Sequence, residues 1–401
     1  MKKLFSSREH LTAAVFLLAL LLGVLLWLYG YFAPADTVGM APAVRAESLS
    51  DALTNAEAII NDSMDRSHRF IQLYGGVQRL LGRRVVNDTE GGSTVYKLSD
   101  GSLTFINPTP AENLAAHAQA FLALVDALAQ EDIPLLYVQA PQKIGTGDAP
   151  ALPRGVTDFG NANADELLAL LTQSGAPVMD LRETLKADGR LWTSYFFTTD
   201  HHWTPEAALL CTQALVERLN ESFGMELDSA RTESDAFSAQ VYEKIFLGSQ
   251  GKRTGSWYAG VDDLTVLTPD YDTSFTYSVP SRDFSISGPF GTSLLVPERL
   301  ERGDLFQTNP YTVYSGGDYA FARMINHNDP DGPRIVLLRD SYSCALAPFL
   351  ALHCSELITV DPRYFEGDLL TCITDCDPDL VVALYTPGAA ANDIFFDFWT
   401  E

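Results

Sequence analysis

Apolar runs of strand length recur along this chain and alternate with segments of helical periodicity. The runs that are apolar almost throughout are residues 134–141, 177–181, 334–339, 357–360 and 380–385. Apolar residues at helical spacing lie between them, at residues 111–130, 164–174, 205–223 and 342–353. Strands that are apolar on both faces and alternate with helices indicate a mostly parallel sheet covered on both sides. The pattern therefore predicts a three-layer α/β domain, which we place at residues 67–401.

The alternation stops between residues 228 and 330. This stretch is rich in Tyr, Ser, Thr, Gly and Asp, and it holds only short β-type runs such as residues 264–267 and 274–279. We interpret it as an irregular insertion within the α/β domain, with a surface suited to holding a ligand.

One longer apolar stretch precedes the domain. Residues 11–32 carry no charged side chain, and a helix of that length crosses about 30 Å of hydrocarbon. Basic residues lie before it, so the positive-inside rule places residues 1–10 in the cytoplasm and the domain outside the cell membrane. A cleaved signal peptide is the alternative, but the run is long for one and ends in aromatic residues typical of a membrane interface. We predict an uncleaved single-pass anchor, followed by a stalk and helix at residues 33–66.

Composition narrows the classes of function. The chain has 401 residues and a formal net charge of −25 at pH 7. Because no basic stripe exists to neutralise phosphates, nucleic acid is excluded as a partner. The five cysteines fit no zinc-binding spacing, and most are expected to be buried free thiols. No cofactor is predicted.

A candidate nucleophile follows one of the apolar runs. Ser341 comes directly after the predicted strand at residues 334–339, at the carboxyl edge where open α/β sheets bind ligands. The next helix would direct its first N–H groups at the same place, which suits a developing oxyanion. A serine needs a base to become nucleophilic. The turn alone equally allows Asp340 or Ser341 to serve only as a helix cap.

The run Asp200-His201-His202-Trp203 offers a base. In an extended segment, residues two apart face the same way, so Asp200 would lie beside His202 and fix its tautomer, while His201 would point to the other side. Two other interpretations stay open: a structural His202 in the core, and a zinc or iron site formed by Asp200 with both histidines. Adjacent histidines do not easily reach one ion, and no further His/Glu pair lies at ligand spacing, which weighs against a metal.

Three motifs occur together in this chain: Asp200-His201-His202-Trp203-Thr204, Asp340-Ser341-Tyr342 and Asp361-Pro362-Arg363-Tyr364-Phe365. In combination they resemble the DHHW protein family, part of the SGNH-hydrolase-like group that includes the alginate O-acetylation proteins AlgX and AlgJ. Residues 138–143, 247–249 and 314–318 look like further family segments. As in AlgX, Asp-x-His precedes the serine, whereas the usual SGNH order has the serine first; Arg339 stands where glycine is usual. The resemblance covers roughly residues 71–401 and implies an SGNH-hydrolase-like fold.

The resemblance also implies residue roles. The catalytic triad would be Ser341, His202 and Asp200. The oxyanion donors are expected among the Ser341 N–H, Gly317 and Asn326. The residues expected to bind substrate are Arg363, Lys143 and Tyr342.

The implied reaction is acetyl transfer to a cell-envelope polysaccharide, or hydrolysis of its acetyl esters, through an acyl-enzyme. The implied partners are an acetylated polysaccharide or acyl donor and a membrane-bound O-acyltransferase. A non-catalytic glycan-binding or assembly protein on the same fold is the alternative, because a fold does not fix a function.

Overall fold

The structure is a computed structural model that describes Leu17, Leu18, Leu21 and residues 68–88, 92–145 and 149–399. The chain forms two compact units, Met1–Leu73 and Tyr74–Glu401. In the first unit, Leu17, Leu18 and Leu21 are helical. The rest of the predicted anchor at residues 11–32, the tail before it and the stalk after it lie outside the described residues. Among the residues that are described, no helix has the length and apolar character needed to cross a membrane.

The strands of the described chain are β1 (Val85–Asn87), β2 (Thr94–Lys97), β3 (Leu103–Thr104), β4 (Leu135–Gln139), β5 (Val178–Asp180), β6 (Phe237–Phe246), β7 (Asp262–Pro269), β8 (Phe275–Val279), β9 (Phe284–Gly288), β10 (Phe321–Asn326), β11 (Arg334–Arg339), β12 (Glu356–Val360) and β13 (Leu380–Tyr385). The helices are α1 (Arg69–Leu80), α2 (Leu114–Ala129), α3 (Gly160–Gln173), α4 (Leu181–Asp188), α5 (Pro205–Phe223), α6 (Ser249–Thr254), α7 (Ser256–Ala259), α8 (Phe290–Ser293), α9 (Ser343–Ala351) and α10 (Leu369–Asp375).

An eight-stranded sheet forms the centre of the second unit, in the order β5-β4-β13-β11-β12-β10-β8-β9. The first five strands in this order run parallel to one another, and they are the strands that the apolar runs predicted. Successive residues of β11 enter opposite layers. Ile335 and Leu337 pack in the apolar cluster that includes α5 and α9, whereas Val336 and Leu338 pack in the cluster that includes α2 and α3. Both faces of the sheet are thus covered, as predicted.

The segment at residues 228–330 is more regular than predicted. Strands β8, β9 and β10 extend the central sheet, with β10 antiparallel to β12. Strands β6 and β7 form a separate antiparallel ribbon. The β-type runs at residues 264–267 and 274–279 fall in β7 and β8, whereas β6, β9 and β10 were not predicted because they are not apolar throughout. In β10, Ala322 and Met324 are buried whereas Arg323 between them is half-buried, which is the alternation of a strand with one covered face.

A small antiparallel sheet of β1, β2 and β3 precedes the parallel core. Its last strand contacts the segment just before the Asp-His-His-Trp motif, because the Leu103 N–H donates to the Thr198 carbonyl at 2.7 Å. All five cysteines are free thiols, and Cys211, Cys344 and Cys354 are buried.

Candidate active site

The segment from Asp200 to His202 is a bend and not the extended strand that we predicted. Asp200 Oδ1 accepts the backbone N–H of His202 at 2.9 Å and lies 2.5 Å from Nδ1 of the same residue. The bend also turns His201 inward: its Nδ1 lies 3.6 Å from Asp200 Oδ1, and its ring centre lies 4.0 Å from that of His202. The prediction that His201 faces away is therefore wrong. Helix α5 starts directly after the motif, with Thr204 as its cap.

The second carboxylate oxygen of Asp200 is held by the residue that opens α6. Asp200 Oδ2 accepts the Ser249 N–H at 2.6 Å and the Ser249 hydroxyl at 2.8 Å. Burial alone would raise the pKa of Asp200, but the two histidines and these hydrogen bonds outweigh it and hold the pKa well below its ordinary value. Asp200 is therefore ionised at neutral pH and oriented through both oxygens.

Lys143 is buried against the backbone of the Asp-His-His-Trp motif and does not face a substrate. Its side chain is buried, and its ammonium donates to the carbonyl oxygens of Asp200 and, at 2.6 Å, of Leu103. The Thr198 carbonyl lies 3.4 Å away. Burial lowers the pKa of Lys143 to about 8. We correct the predicted substrate-binding role to a structural one, because the ammonium is enclosed by backbone carbonyls of the motif and of β3.

Ser341 lies at the carboxyl end of β11, half-buried, in the turn that leads to α9. Its Oγ lies 2.8 Å from Nε2 of His202. The neighbouring Asp340 shapes this turn: its carboxylate accepts the Tyr342 N–H at 3.0 Å and the Thr386 N–H at 2.7 Å. Burial raises the pKa of Asp340. The turn-forming role thus falls to Asp340, which leaves the Ser341 hydroxyl facing the histidine.

Aromatic side chains join the two halves of the site. The fully buried Trp203 donates its Nε1–H to the Tyr342 carbonyl at 3.0 Å, and the Tyr311 hydroxyl donates to the same oxygen at 3.1 Å. The Tyr311 ring also stacks on His202, with ring centres 4.2 Å apart and planes inclined by 22°. Tyr342 is buried and donates its hydroxyl to the His201 carbonyl. This position excludes the predicted contact of the Tyr342 hydroxyl with substrate.

The three predicted oxyanion donors lie in different places. No acceptor among the described residues takes the Ser341 N–H. Gly317 lies near the end of β11, where its carbonyl accepts from Arg339 at 3.4 Å. Asn326 lies at the opposite end of the sheet, because β10 is antiparallel and its residue Ile325 pairs with Glu356 at the start of β12. We therefore remove Asn326 from the site, and the oxyanion roles of the Ser341 N–H and Gly317 stay predictions.

Arg363 is paired with carboxylates at the carboxyl edge of the central sheet. Its guanidinium donates to both oxygens of Asp361, at 2.9 and 2.6 Å, and lies 3.2 Å from Asp318 Oδ2. The buried Arg339 joins the cluster by donating to Asp318, and its Nε lies 3.8 Å from Asp361 Oδ2. Two arginines and two aspartates thus compensate one another and tie the loop after β12 to the segment before β10.

Several residues that shape the site were not singled out from the sequence. Ser249 belongs to a segment that resembled the family, but its contact with Asp200 carried no local signal. Asp262 lies at the start of β7, where its carboxylate accepts the backbone N–H groups of Thr198 and Thr199, each at 2.7 Å. Tyr311 lies in the segment that we read as an irregular insertion. Only the fold brings these residues to the motif.

Comparison with known proteins gives matches at the level of the domain and the fold. A family model described as "SGNH hydrolase-like domain, acetyltransferase AlgX" matches residues 103–265. A DHHW family protein from Eubacterium siraeum is similar in structure, with 17% identity, a TM-score of 0.59, and coverage of 79% of this chain and 99% of that chain. Bacillus cereus PatB1, in a structure with a sulfonyl adduct, gives 18% identity, a TM-score of 0.61, and coverage of 79% and 98%. No curated protein sequence matches this chain. The predicted resemblance is confirmed, together with an α/β fold consistent with SGNH-like proteins.

Proposed function

We propose that this chain is a serine-dependent enzyme that transfers O-acetyl groups to a cell-envelope polysaccharide or removes them from it. The observation that carries the proposal is a chain of two short contacts. Asp200 Oδ1 lies 2.5 Å from His202 Nδ1, and His202 Nε2 lies 2.8 Å from Ser341 Oγ. This is the geometry of a nucleophile, a base and a group that orients the base. The match to a domain described as an acetyltransferase supports the choice of acyl group.

The first half of the reaction forms an acetyl-enzyme. Ser341 Oγ attacks the carbonyl carbon of an acetyl ester while His202 Nε2 takes the hydroxyl proton, and ionised Asp200 stabilises the resulting imidazolium. The Ser341 N–H donates to the oxyanion. The bond from the carbonyl carbon to the alcohol oxygen then breaks, and His202 returns the proton to that oxygen. The products are a free alcohol and acetylated Ser341.

The second half restores the enzyme. His202 takes a proton from an incoming hydroxyl, whose oxygen attacks the acetyl carbon, and the proton passes to Ser341 Oγ as the serine ester breaks. A sugar hydroxyl yields an acetylated glycan, whereas water yields acetate. The balance between transfer and hydrolysis depends on how well the site excludes water and holds an acceptor.

The proposed setting is the outer face of a cell membrane. Residues 11–32 would anchor the chain with its N-terminus in the cytoplasm, and a membrane-bound O-acyltransferase would supply acetyl groups to the α/β unit outside. Alkaline phosphatase fused after residue 401 should be active in intact bacteria, because the enzyme requires an oxidising compartment to fold. An inactive but full-length fusion would contradict this orientation.

The catalytic proposal is tested by Ser341→Ala. Hydrolysis of para-nitrophenyl acetate should fall by about a thousandfold or more, and the mass increase of one acetyl group per chain after brief incubation should disappear. Thermal unfolding should match the wild type, because Ser341 is half-buried and the substitution removes one oxygen atom. Hydrolysis at the wild-type rate by a folded Ser341→Ala variant would show that the triad does not carry out the reaction.

A metal-dependent hydrolase is the second candidate. One observation favours it: one ligand atom each from Asp200, His201 and His202 lie within 4.8 Å of one another. Loss of activity in chelator and recovery with zinc would establish this alternative. Activity that is unchanged after exhaustive chelation would leave the serine mechanism in place. If the wild type binds glycans but neither hydrolyses nor transfers acetyl groups, the protein is a binding or assembly factor.

A further inference from the structure

A groove with a volume of about 900 Å³ opens at the carboxyl edge of the central sheet. One wall is the loop at residues 362–367, which follows β12, and the other includes Ile394, Asp397 and Trp399, which follow β13. Strands β12 and β13 flank β11 on its two sides, and β11 leads into Ser341. The groove therefore lies at the same sheet edge as the candidate triad, between the loops of its two neighbouring strands. Its volume is at the upper end of the roughly 300–1,000 Å³ of small-molecule sites.

Two large aromatic rings in this groove are open to solvent. Tyr364 is 54% exposed and Trp399 is 38% exposed. The ring of the buried Phe398 packs edge-on against Trp399, with ring centres 5.8 Å apart. The guanidinium carbon of Arg363 lies 5.2 Å from the Tyr364 ring centre. Rings that are fixed by such contacts and left open on one side suit stacking against a flat apolar surface. The C–H face of a sugar ring is such a surface, and its rim carries hydroxyl groups.

The charges of the groove restrict the kind of sugar. Arg363 does not offer a free positive charge, because Asp361 and Asp318 already pair with it. Among the described residues that line the groove, the other charged groups are Glu366 and Asp397, both acidic. Carboxylates accept hydrogen bonds from hydroxyl groups and attract ammonium groups, whereas they repel the carboxylates of a uronic acid. The chain's net charge of −25 acts in the same direction over longer distances.

We propose that this groove is the acceptor subsite and binds a neutral or amino-bearing glycan, with Tyr364 and Trp399 as the stacking surface and Glu366 and Asp397 as the polar contacts. The inference rests on the proposed function and adds the class of glycan. Polymers rich in uronic acid are excluded as preferred acceptors. The acetylated hydroxyl would belong to a chain that lies along the edge of the sheet toward Ser341.

The test measures binding by calorimetry with cellotetraose, a fully deacetylated chitosan tetramer and tetragalacturonate. The first two should bind and the third should bind at least about tenfold more weakly. Trp399→Ala and Tyr364→Ala should each weaken binding of cellotetraose by about tenfold, the expected value of one stacked ring. Trp257→Ala is the matched control, because Trp257 is 58% exposed and does not line this groove. It should leave binding unchanged.

A charge variant tests the same groove without removing the rings. The double substitution Glu366→Gln with Asp397→Asn should weaken binding of the chitosan tetramer and strengthen binding of tetragalacturonate. Equal binding of all three tetramers by the wild type, or unchanged binding by the folded ring and charge variants, would overturn the inference.

The tests of glycan binding in the groove can be separated from the test of ester hydrolysis by the proposed triad. The groove variants should hydrolyse para-nitrophenyl acetate at the wild-type rate, because they do not touch Ser341, His202 or Asp200. Ser341→Ala should lose hydrolysis and retain glycan binding. A Ser341→Ala variant that keeps hydrolysis would refute the proposed function and the acceptor role of the groove, and would leave only its glycan binding. Ring variants with wild-type binding would refute the groove alone.

Discussion

A single added methyl group at Gly248 is expected to damage the site more than its size suggests. A Cβ at this position would lie 2.2 Å from Cβ, 2.5 Å from Oδ2 and 2.6 Å from Cα of Asp200. Carbon atoms pack at about 3.5 Å or more, so Gly248→Ala requires the two segments to separate by about 1.3 Å. Ser249 would move with residue 248, and its two hydrogen bonds to Asp200 would lengthen or break.

The expected losses of stability and of catalytic rate follow from this displacement. Overpacking of this kind costs about 1–3 kcal/mol in the free energy of unfolding. A misplacement of about 1 Å in a catalytic group can lower the rate by about a hundredfold. Because Asp200 orients His202 through a 2.5 Å contact, we expect kcat for para-nitrophenyl acetate to fall by about that factor in the Gly248→Ala variant.

The assay combines steady-state hydrolysis with urea unfolding of the same preparations. Gly92→Ala is the matched control, because a Cβ there meets no atom of the described residues within 4 Å and the backbone does not adopt a positive φ. Gly92→Ala should keep both wild-type activity and wild-type stability. If Gly248→Ala lost stability but kept its wild-type kcat, the position of Asp200 would not control the reaction, and the reasoning from the triad would fail.

Two further predictions concern buried charges. Lys143→Met should lower the free energy of unfolding by about 2–3 kcal/mol, because the carbonyls of Leu103 and Asp200 lose a charged donor; the exposed control Lys186→Met should stay within about 0.5 kcal/mol in the same urea titration. Equal stability of the two variants would show that the ammonium does not support the motif. Because the pKa of Asp200 is depressed in the folded chain, its carboxylate stabilises the fold above the ordinary pKa of about 3.9, and this contribution is lost as the pH falls through the lower folded value. The stability difference between wild type and Asp200→Asn should therefore be constant near neutrality and shrink below about pH 4; a difference that stays constant in acid would contradict the depressed pKa.

The parallel core was predictable because its strands are buried on both faces. Residues 334–339 and 380–385 are nearly continuous apolar runs whose short length favours buried strands over helices. Ser341 followed from the same logic, since a polar residue directly after such a strand lies at the ligand-binding edge. The pairing of Asp200 with His202 was expected from their local spacing, although a bend and not a strand brings it about.

The errors have a common physical origin in contacts that no local pattern encodes. Asn326 was grouped with Ser341 without knowledge of the direction of β10, and an antiparallel strand carries its last residue to the far end of the sheet. Lys143 was given a substrate-binding role from the family resemblance, although the structure buries its side chain. Its burial depends on three carbonyls from distant segments. His201 was misplaced because the bend that turns it depends on the Asp200 carboxylate.

The order of the strands has a consequence for how the chain is made. β4 lies beside β13 in the sheet, with Leu135 next to Val381. β4 is therefore made long before β13, which is the last strand that the structure describes and one of its partners. The ribosome extends a chain by about 5–20 residues per second, and domains generally fold as units. Here the parallel core cannot close until synthesis has nearly reached the end of β13. Until then β4 has no partner on the side that β13 occupies in the finished sheet.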